Sequence, residues 1–162
     1  MLKALTLATL IAFSAPAAFA KEAAPAPVAK LSPAAERKEV KAAFAAWREA
    51  LSGGKAEPVV ALYTKDAVLL ATLANDPITD QADRTAYFTN LTAKPKLKAR
   101  VNEEFVRLLD EDDAVLSGTY TFSFEDAGKT VSIPARYTLV YKKLDGKWMI
   151  VEHHSSKMPM DK

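Results

Sequence analysis

The chain has 162 residues, of which 49% are hydrophobic, and only 5 are Gly and 9 are Pro. This composition can bury a core, so it excludes wholesale disorder. Basic residues outnumber acidic ones by 22 to 20, and the resulting net charge of +2 is too small to indicate a nucleic-acid-binding protein. The absence of cysteine excludes disulfides, thiolate metal sites and a cysteine nucleophile.

The first 20 residues have the layout of a secretory signal peptide. Lys3 gives a positive start, residues 4–13 carry no charge, and Ala18-Phe19-Ala20 is a small-x-small cleavage site. The apolar run is shorter than the ~20 residues that span a bilayer. We therefore expect cleavage after residue 20, no membrane anchor afterwards, and a periplasmic or secreted protein. The alternative is an apolar N-terminal helix of the domain.

Residues 21–32 are rich in Ala and Pro, which predicts an extended linker, and the domain is predicted over residues 33–162. Ser32 and Pro33 are typical of a helix N-cap and the first helical position. An apolar stripe at helical spacing then follows, made of Val40, Phe44, Trp47 and Leu51. The pattern predicts a helix that ends at Gly53.

Four further elements are predicted before the sequence changes its period. They are a short helix over residues 57–63, a strand over residues 67–73, a turn at residues 75–77 and a helix over residues 80–91. Thr79 or Asp80 could cap this last helix. Its apolar side is expected to carry Arg84, Tyr87, Phe88 and Leu91.

From residue 96 onward the period becomes two, which predicts strands. One face of the clearest strand carries Leu116, Tyr120, Phe122 and Phe124. One face of the next carries Val131, Ile133, Ala135, Tyr137, Leu139 and Tyr141. Hairpin turns are predicted at residues 126–128 and 145–146, and the acidic run at residues 110–113 is predicted to be a solvated turn.

Helices followed by antiparallel strands predict an α+β fold, in which N-terminal helices cover one face of a curved, cone-shaped antiparallel sheet. Such a cone leaves a cavity between the sheet and the first helix, and cavities of this kind are where ligands bind.

The C-terminal segment from Asp145 to Pro159, which includes His153-His154-Ser155-Ser156-Lys157-Met158-Pro159, resembles the end of a known domain. The family is the association domain of calcium/calmodulin-dependent protein kinase II, and more closely its bacterial secreted relatives of the SgcJ/EcaC type. Segments 63–70, 87–91 and 135–141 are also similar, so the resemblance covers about residues 36–159. It implies the nuclear transport factor 2-like, or SnoaL-like, superfamily with its cystatin-like cone.

The resemblance also implies a homodimer or higher homo-oligomer, because relatives dimerise through the outer face of the sheet. In the kinase domain, arginines in the cavity can bind small carboxylates. Here Thr85, Leu139 and Ser155 stand at those positions, with Arg84 and Arg136 nearby but out of register. An anion site therefore cannot simply be inherited.

His153 and His154 are the only histidines, and neighbours on a strand point to opposite faces. At most one is expected in the cavity, unless a bulge intervenes, and adjacent strand histidines make a poor metal pair. One of them is a candidate acid or base. The alternative is a structural role, with one histidine hydrogen-bonded at the strand end and the other at a dimer contact.

Several other side chains are ligand-binding candidates. Arg136 either binds a ligand or forms an interface salt bridge, depending on whether a bulge at Pro134 changes the strand phase. Tyr63, Tyr87, Tyr120 and Tyr137 could hydrogen-bond a ligand, although core packing is the alternative. Trp47 is expected at the cavity mouth, and Ser156 completes the set with the two histidines.

Asp66 is a candidate base, since related cone-fold isomerases pair a buried Asp with Tyr or His; a turn or cap role is the alternative. The catalytic candidates are thus His154, Tyr87 and Asp66, with no metal and no cofactor expected. We expect a secreted module that binds a small molecule in the cone cavity or self-associates. The alternative is a SnoaL-like or ketosteroid isomerase-like enzyme.

Overall fold

The structure is a computed structural model that describes residues 32–159. The signal peptide predicted over residues 1–20, and the linker predicted over residues 21–32 apart from Ser32, lie outside the described residues. The elements are α1 (Pro33–Ser52), α2 (Ala56–Val60), β1 (Tyr63–Leu70), α3 (Gln81–Thr92), β2 (Lys98–Leu108), β3 (Asp113–Asp126), β4 (Lys129–Leu144) and β5 (Lys147–Lys157).

Helix α1 begins and ends where the sequence predicts. The Ser32 side-chain oxygen accepts a hydrogen bond from the Ala35 backbone N–H at 3.3 Å, and Pro33 occupies the first turn. Gly53 caps the C-terminus by donating its N–H to the Ala50 carbonyl. The predicted stripe is the buried face of the helix, which confirms the assignment.

Helix α3 is capped by Asp80, whose carboxylate accepts from the Asp83 N–H at 2.8 Å. Its buried residues include Arg84, Phe88 and Leu91, whereas Tyr87 is only partly buried. Helix α2 is shorter than predicted and β1 starts earlier, at Tyr63. The reason is that the chain leaves α2 to pair with β5, where the Ile150 N–H donates to the Leu62 carbonyl at 2.9 Å.

The five strands form one curved, unclosed sheet in the order β1-β5-β4-β3-β2. Strands β2 to β5 are antiparallel neighbours, as expected, but β1 pairs in parallel with β5, so the sheet is mixed. The antiparallel run leaves one edge of β5 free, and β1 fills it. The predicted α+β cone is confirmed.

Tight turns connect the antiparallel strands. Ala127-Gly128 and Asp145-Gly146 all have positive φ, which matches the twist of a two-residue hairpin. At the β2–β3 turn the Asp110 carboxylate accepts from the N–H groups of Asp112 and Asp113, both at 2.8 Å. Residues 110–112 of the acidic run are exposed, as predicted, whereas Asp113 is half-buried and begins β3.

The helices cover only the inner face of the sheet, and the core lies between these two layers. We call the opposite side, formed by the outward side chains of β2 to β5, the outer face. Within residues 32–159, no element covers it, and no helix there has the length and apolar character needed to cross a membrane.

Candidate functional site

A β-bulge at Val151 decides which histidine faces the inside of the cone. Val140 pairs with Glu152 and Tyr141 pairs with Ile150, so Val151 is an extra residue in β5. Before the bulge the even-numbered Trp148 and Ile150 are buried; after it, the odd-numbered His153 and Ser155 are buried. His153 therefore points inward and His154 outward.

Inside the cone, Trp47, Tyr63 and His153 form a hydrogen-bonded chain. Trp47 Nε1 donates to Tyr63 Oη at 2.9 Å, and Tyr63 Oη lies 2.8 Å from His153 Nδ1. The indole N–H can only donate, so the Tyr63 oxygen accepts from Trp47. The Tyr63 hydroxyl then donates its own proton to His153 Nδ1. This assigns the neutral imidazole with its proton on Nε2.

His153 is 2% exposed, and burial lowers its pKa to about 3, with the neighbouring His154 adding to the effect. Burial therefore favours the neutral imidazole at ordinary pH. Burial also raises the pKa of Tyr63 well above its usual value. Among the described residues, His153 Nε2 has no hydrogen-bond partner.

A second polar cluster lies further along the interior. Tyr120 Oη donates to Ser155 Oγ at 2.6 Å, and Ser155 Oγ also bonds the Thr72 hydroxyl. Burial raises the pKa of Tyr120 strongly and that of Tyr87 to about 12. Sequence reasoning missed Thr72, which stands in the segment after β1 where no periodic pattern marks it.

Side chains fill most of the expected cone cavity. Buried rings of Phe44 and Tyr120 each pack on Tyr137, with centroids 4.8 and 4.7 Å away. An apolar slot of about 10 Å³ remains, lined by Thr72, Leu73, Leu91, Leu97, Phe122, Phe124 and Ile133. That space is about enough for one water molecule. Trp47 is buried inside this packing, as a wall of the cone.

Arg84 is a buried charge on the side of α3 where the sequence places the apolar residues. It is 0% exposed, and its guanidinium donates to the carbonyls of Ala67 (2.6 Å), Thr64 (2.8 Å) and Lys65 (3.1 Å). Burial lowers its pKa. Arg84 therefore holds the irregular part of β1 to α3. The sequence signal for its burial is its spacing of four residues from Phe88 and seven from Leu91, which puts it on the apolar side of α3.

Three of the predicted ligand-binding residues lie outside the cone, and for Arg136 this is the outer-face position that the sequence analysis left open. Arg136, His154 and Ser156 are on the outer face, where with Thr138 and the backbone of Tyr137 they line an open depression of about 310 Å³. Pro134 causes no change of phase, because β3 and β4 pair without interruption around it. The bulge at Val151 moves His154 and Ser156 outward.

The three catalytic candidates do not converge. His154 is exposed on the outer face, Tyr87 is on α3 at the inner side of the sheet, and Asp66 is exposed in the irregular part of β1. Nor does the region from residue 32 to residue 159 contain a group of three or more His, Asp or Glu side chains that could hold a metal ion. Inside the cone, the hydrogen-bonding side chains are instead Trp47, Tyr63 and His153 in one cluster and Tyr120, Ser155 and Thr72 in the other.

Comparison with known families identifies one match. The model of the family described as "Calcium/calmodulin dependent protein kinase II association domain" matches residues 36–159. No curated protein matches the chain.

Solved structures agree with this match. A protein from Xanthomonas campestris, described provisionally as a calcium/calmodulin dependent protein kinase II association domain, is 45% identical; the alignment covers 76% of this chain and 89% of that one, with a TM-score of 0.73. A CamKII hub homology domain from Chlamydomonas reinhardtii is 22% identical (76% and 98% covered, TM-score 0.68). An NTF2-like protein with a cystatin-like fold from Novosphingobium aromaticivorans is 14% identical (79% and 85% covered, TM-score 0.67). The last two show the fold alone.

Proposed function

Because this chain belongs to the calcium/calmodulin-dependent protein kinase II association domain family, we propose that it is a self-association module whose copies pack through the outer face of the sheet. The observation that carries the proposal is that this face is broad and uncovered in the part of the chain the structure describes, while the helices cover the inner face and side chains fill most of its hollow. Its edge carries Phe105, which is 64% exposed.

The size of the outer face suits a dimer. The four strands β2 to β5, at about 4.8 Å spacing and about 11 residues long, span roughly 19 by 36 Å. That is on the order of 700 Å² per copy, close to the ~800 Å² that each partner contributes to a standard stable interface. Its side chains mix hydroxyls, charged groups, valines and two rings, a composition compatible with a contact that still leaves the free protein soluble.

The solution mass tests the proposal. Sedimentation velocity should show a dimer or larger assembly for the wild type and a monomer for Phe105→Glu, which buries a charge in the contact. Leu73→Glu is the matched control, because Leu73 is 54% exposed but lies in the loop after β1 rather than on the outer face. A monomeric wild type, or a Phe105→Glu variant that keeps the wild-type mass, would contradict the proposal.

A small-molecule site or a SnoaL-like active site inside the cone is the second candidate. The Tyr63–His153 pair and the apolar slot beside Phe122 support it. The packed interior makes it weaker, because a ligand larger than water requires Phe122 or Leu73 to move. Saturation-transfer NMR with small apolar and carboxylate compounds tests it. A transfer signal that the wild type gives and a Phe122→Trp variant, whose larger ring fills the slot, does not give would favour this function.

We further propose that the protein is exported and works in the periplasm or outside the cell. The charge pattern and the Ala-Phe-Ala site of residues 1–20 support this location. Mass spectrometry of the protein recovered from a periplasmic extract should find an N-terminus at Lys21. Recovery only from the cytoplasm with residues 1–20 intact would overturn it.

A further inference from the structure

The outward side chains of β2 to β5 form three rows across the outer face, each following the strand register. The first row is Glu103, Thr119, Arg136 and Ser156. The second row is Phe105, Ser117, Thr138 and His154. The third row is Arg107, Val115, Val140 and Glu152.

The outward residues of β2, on one side of this face, and those of β5, on the other side, have their charges in opposite order along the strand. Along β2 the outward residues are an anion, an aromatic ring and a cation: Glu103, Phe105 and Arg107. Along β5 the corresponding order is Ser156 (with Arg136 beside it on β4), His154 and the anion Glu152. Within residues 32–159, none of the four charged groups Glu103, Arg107, Arg136 and Glu152 forms an ion pair.

We infer that the dimer has a two-fold axis parallel to the strands, between β3 and β4, so that β2 of one copy packs on β5 of the other. This inference rests on the proposed self-association and specifies which strands and residues of the two copies face each other. Arg107 then meets the partner's Glu152, Phe105 meets the partner's His154, and Glu103 lies near the partner's Arg136. Two-fold symmetry makes every contact twice.

The depression on β4 and β5 favours this arrangement over the other possible two-fold. Its volume of about 310 Å³ needs a large side chain to fill it, and Phe105 protrudes from the outer face with 64% of its surface exposed. The Arg136 guanidinium can stack on an aromatic ring. An axis perpendicular to the strands would instead set Phe105 against the partner's Phe105 and leave the depression without an aromatic side chain.

Charge reversal distinguishes the two arrangements. Arg107→Glu and Glu152→Arg should each raise the dimer dissociation constant on the order of tenfold, because each places two like-charged pairs in the contact. The double variant Arg107→Glu/Glu152→Arg should return close to the wild-type value. An axis perpendicular to the strands would instead pair Arg107 with the partner's Glu103, so it predicts that Glu103→Arg, and not Glu152→Arg, rescues Arg107→Glu.

The measurement is sedimentation equilibrium of the full domain at about 0.1 M salt, where surface charges are only partly screened. Glu49→Arg, a reversal on the exposed side of α1, is the control and should leave the constant unchanged. A wild-type dimer that the single reversals do not weaken, or that is rescued by Glu103→Arg and not by Glu152→Arg, overturns the inferred register alone. A wild type that stays monomeric overturns the proposed self-association itself.

Discussion

Tyr63 on β1 and His153 on β5 are hydrogen-bonded at 2.8 Å inside the cone, although 90 residues separate them in the chain. The bond fixes the neutral imidazole at the centre of the packed interior. Both side chains are buried, so the pair ties the parallel edge of the sheet to α1 through Trp47. The pair is a structural element, and the titration of His153 should make the unfolding free energy depend on pH.

The stability of the protein should fall as the pH drops from about 6.5 toward 3. His153 has a folded pKa of about 3, below its unfolded value near 6.5, so in this window the unfolded state binds a proton that the folded state does not. The stabilising contribution is fully present above pH 6.5 and is lost on acidification. Between about pH 7.5 and pH 5 the loss should be about 2 kcal/mol. Urea unfolding at several pH values measures it.

The two histidines supply their own controls in this experiment. His153→Gln keeps an acceptor for Tyr63 but cannot titrate, so its stability should change much less over the same window. His154→Gln removes an exposed imidazole and should keep the wild-type slope. An unchanged acid slope in His153→Gln would show that another group is responsible.

Gly118 should not tolerate a side chain. It faces inward on β3, and a Cβ there would overlap the Glu103 carbonyl oxygen and lie 2.9 Å from Tyr137 Oη. Tyr137 opposite fills the space that glycine leaves and donates to the same carbonyl at 3.1 Å. Gly118→Ala should cost about 1–3 kcal/mol in unfolding free energy by overpacking and by displacing β2.

Neighbouring substitutions separate the two causes. Tyr137→Phe should cost only about 1 kcal/mol, the worth of one hydrogen bond. Ser117→Ala, outward on the same strand, should be nearly neutral. If Gly118→Ala were as stable as Ser117→Ala in urea unfolding, the close approach of β2 and β3 would be wrong.

Arg84→Met should destabilise the protein by about 3 kcal/mol or more. It removes hydrogen bonds to the three carbonyls of the 64–67 segment and leaves buried acceptors without donors. Thermal unfolding measures the loss, and the exposed Arg100→Met is the control on β2. If Arg84→Met lowered the melting temperature no more than Arg100→Met does, Arg84 would not hold β1 to α3.

The sequence predicted the elements with strong periodicity because burial imposes that periodicity directly. The α1 stripe and the inward faces of β3 and β4 are examples. It did not predict the side on which His154 and Ser156 lie, because a one-residue bulge at Val151 reverses the phase of β5 and leaves no pattern of its own. The parallel β1–β5 pairing is likewise a long-range choice that no local signal encodes.

The candidate site was harder to predict from the sequence than the fold. Residue types indicated which side chains could do chemistry, but the packing decides which of them share a space. His153 and Tyr63 meet, whereas His154, Tyr87 and Asp66 do not. The same packing fills the cone and leaves the outer face as the open surface.

The chain has no native cysteine, so one introduced thiol reports the accessibility of one position. Thr138→Cys puts that thiol at the centre of the outer face, and Ala46→Cys puts it on the exposed side of α1. The rate of maleimide labelling, measured from dilute to concentrated protein, tests the proposed interface most directly. We expect labelling at position 138 to slow as copies associate, while labelling at position 46 stays constant. Equal labelling of position 138 at all concentrations in a protein that sediments as a dimer, or protection of position 46 instead, would contradict association through the outer face.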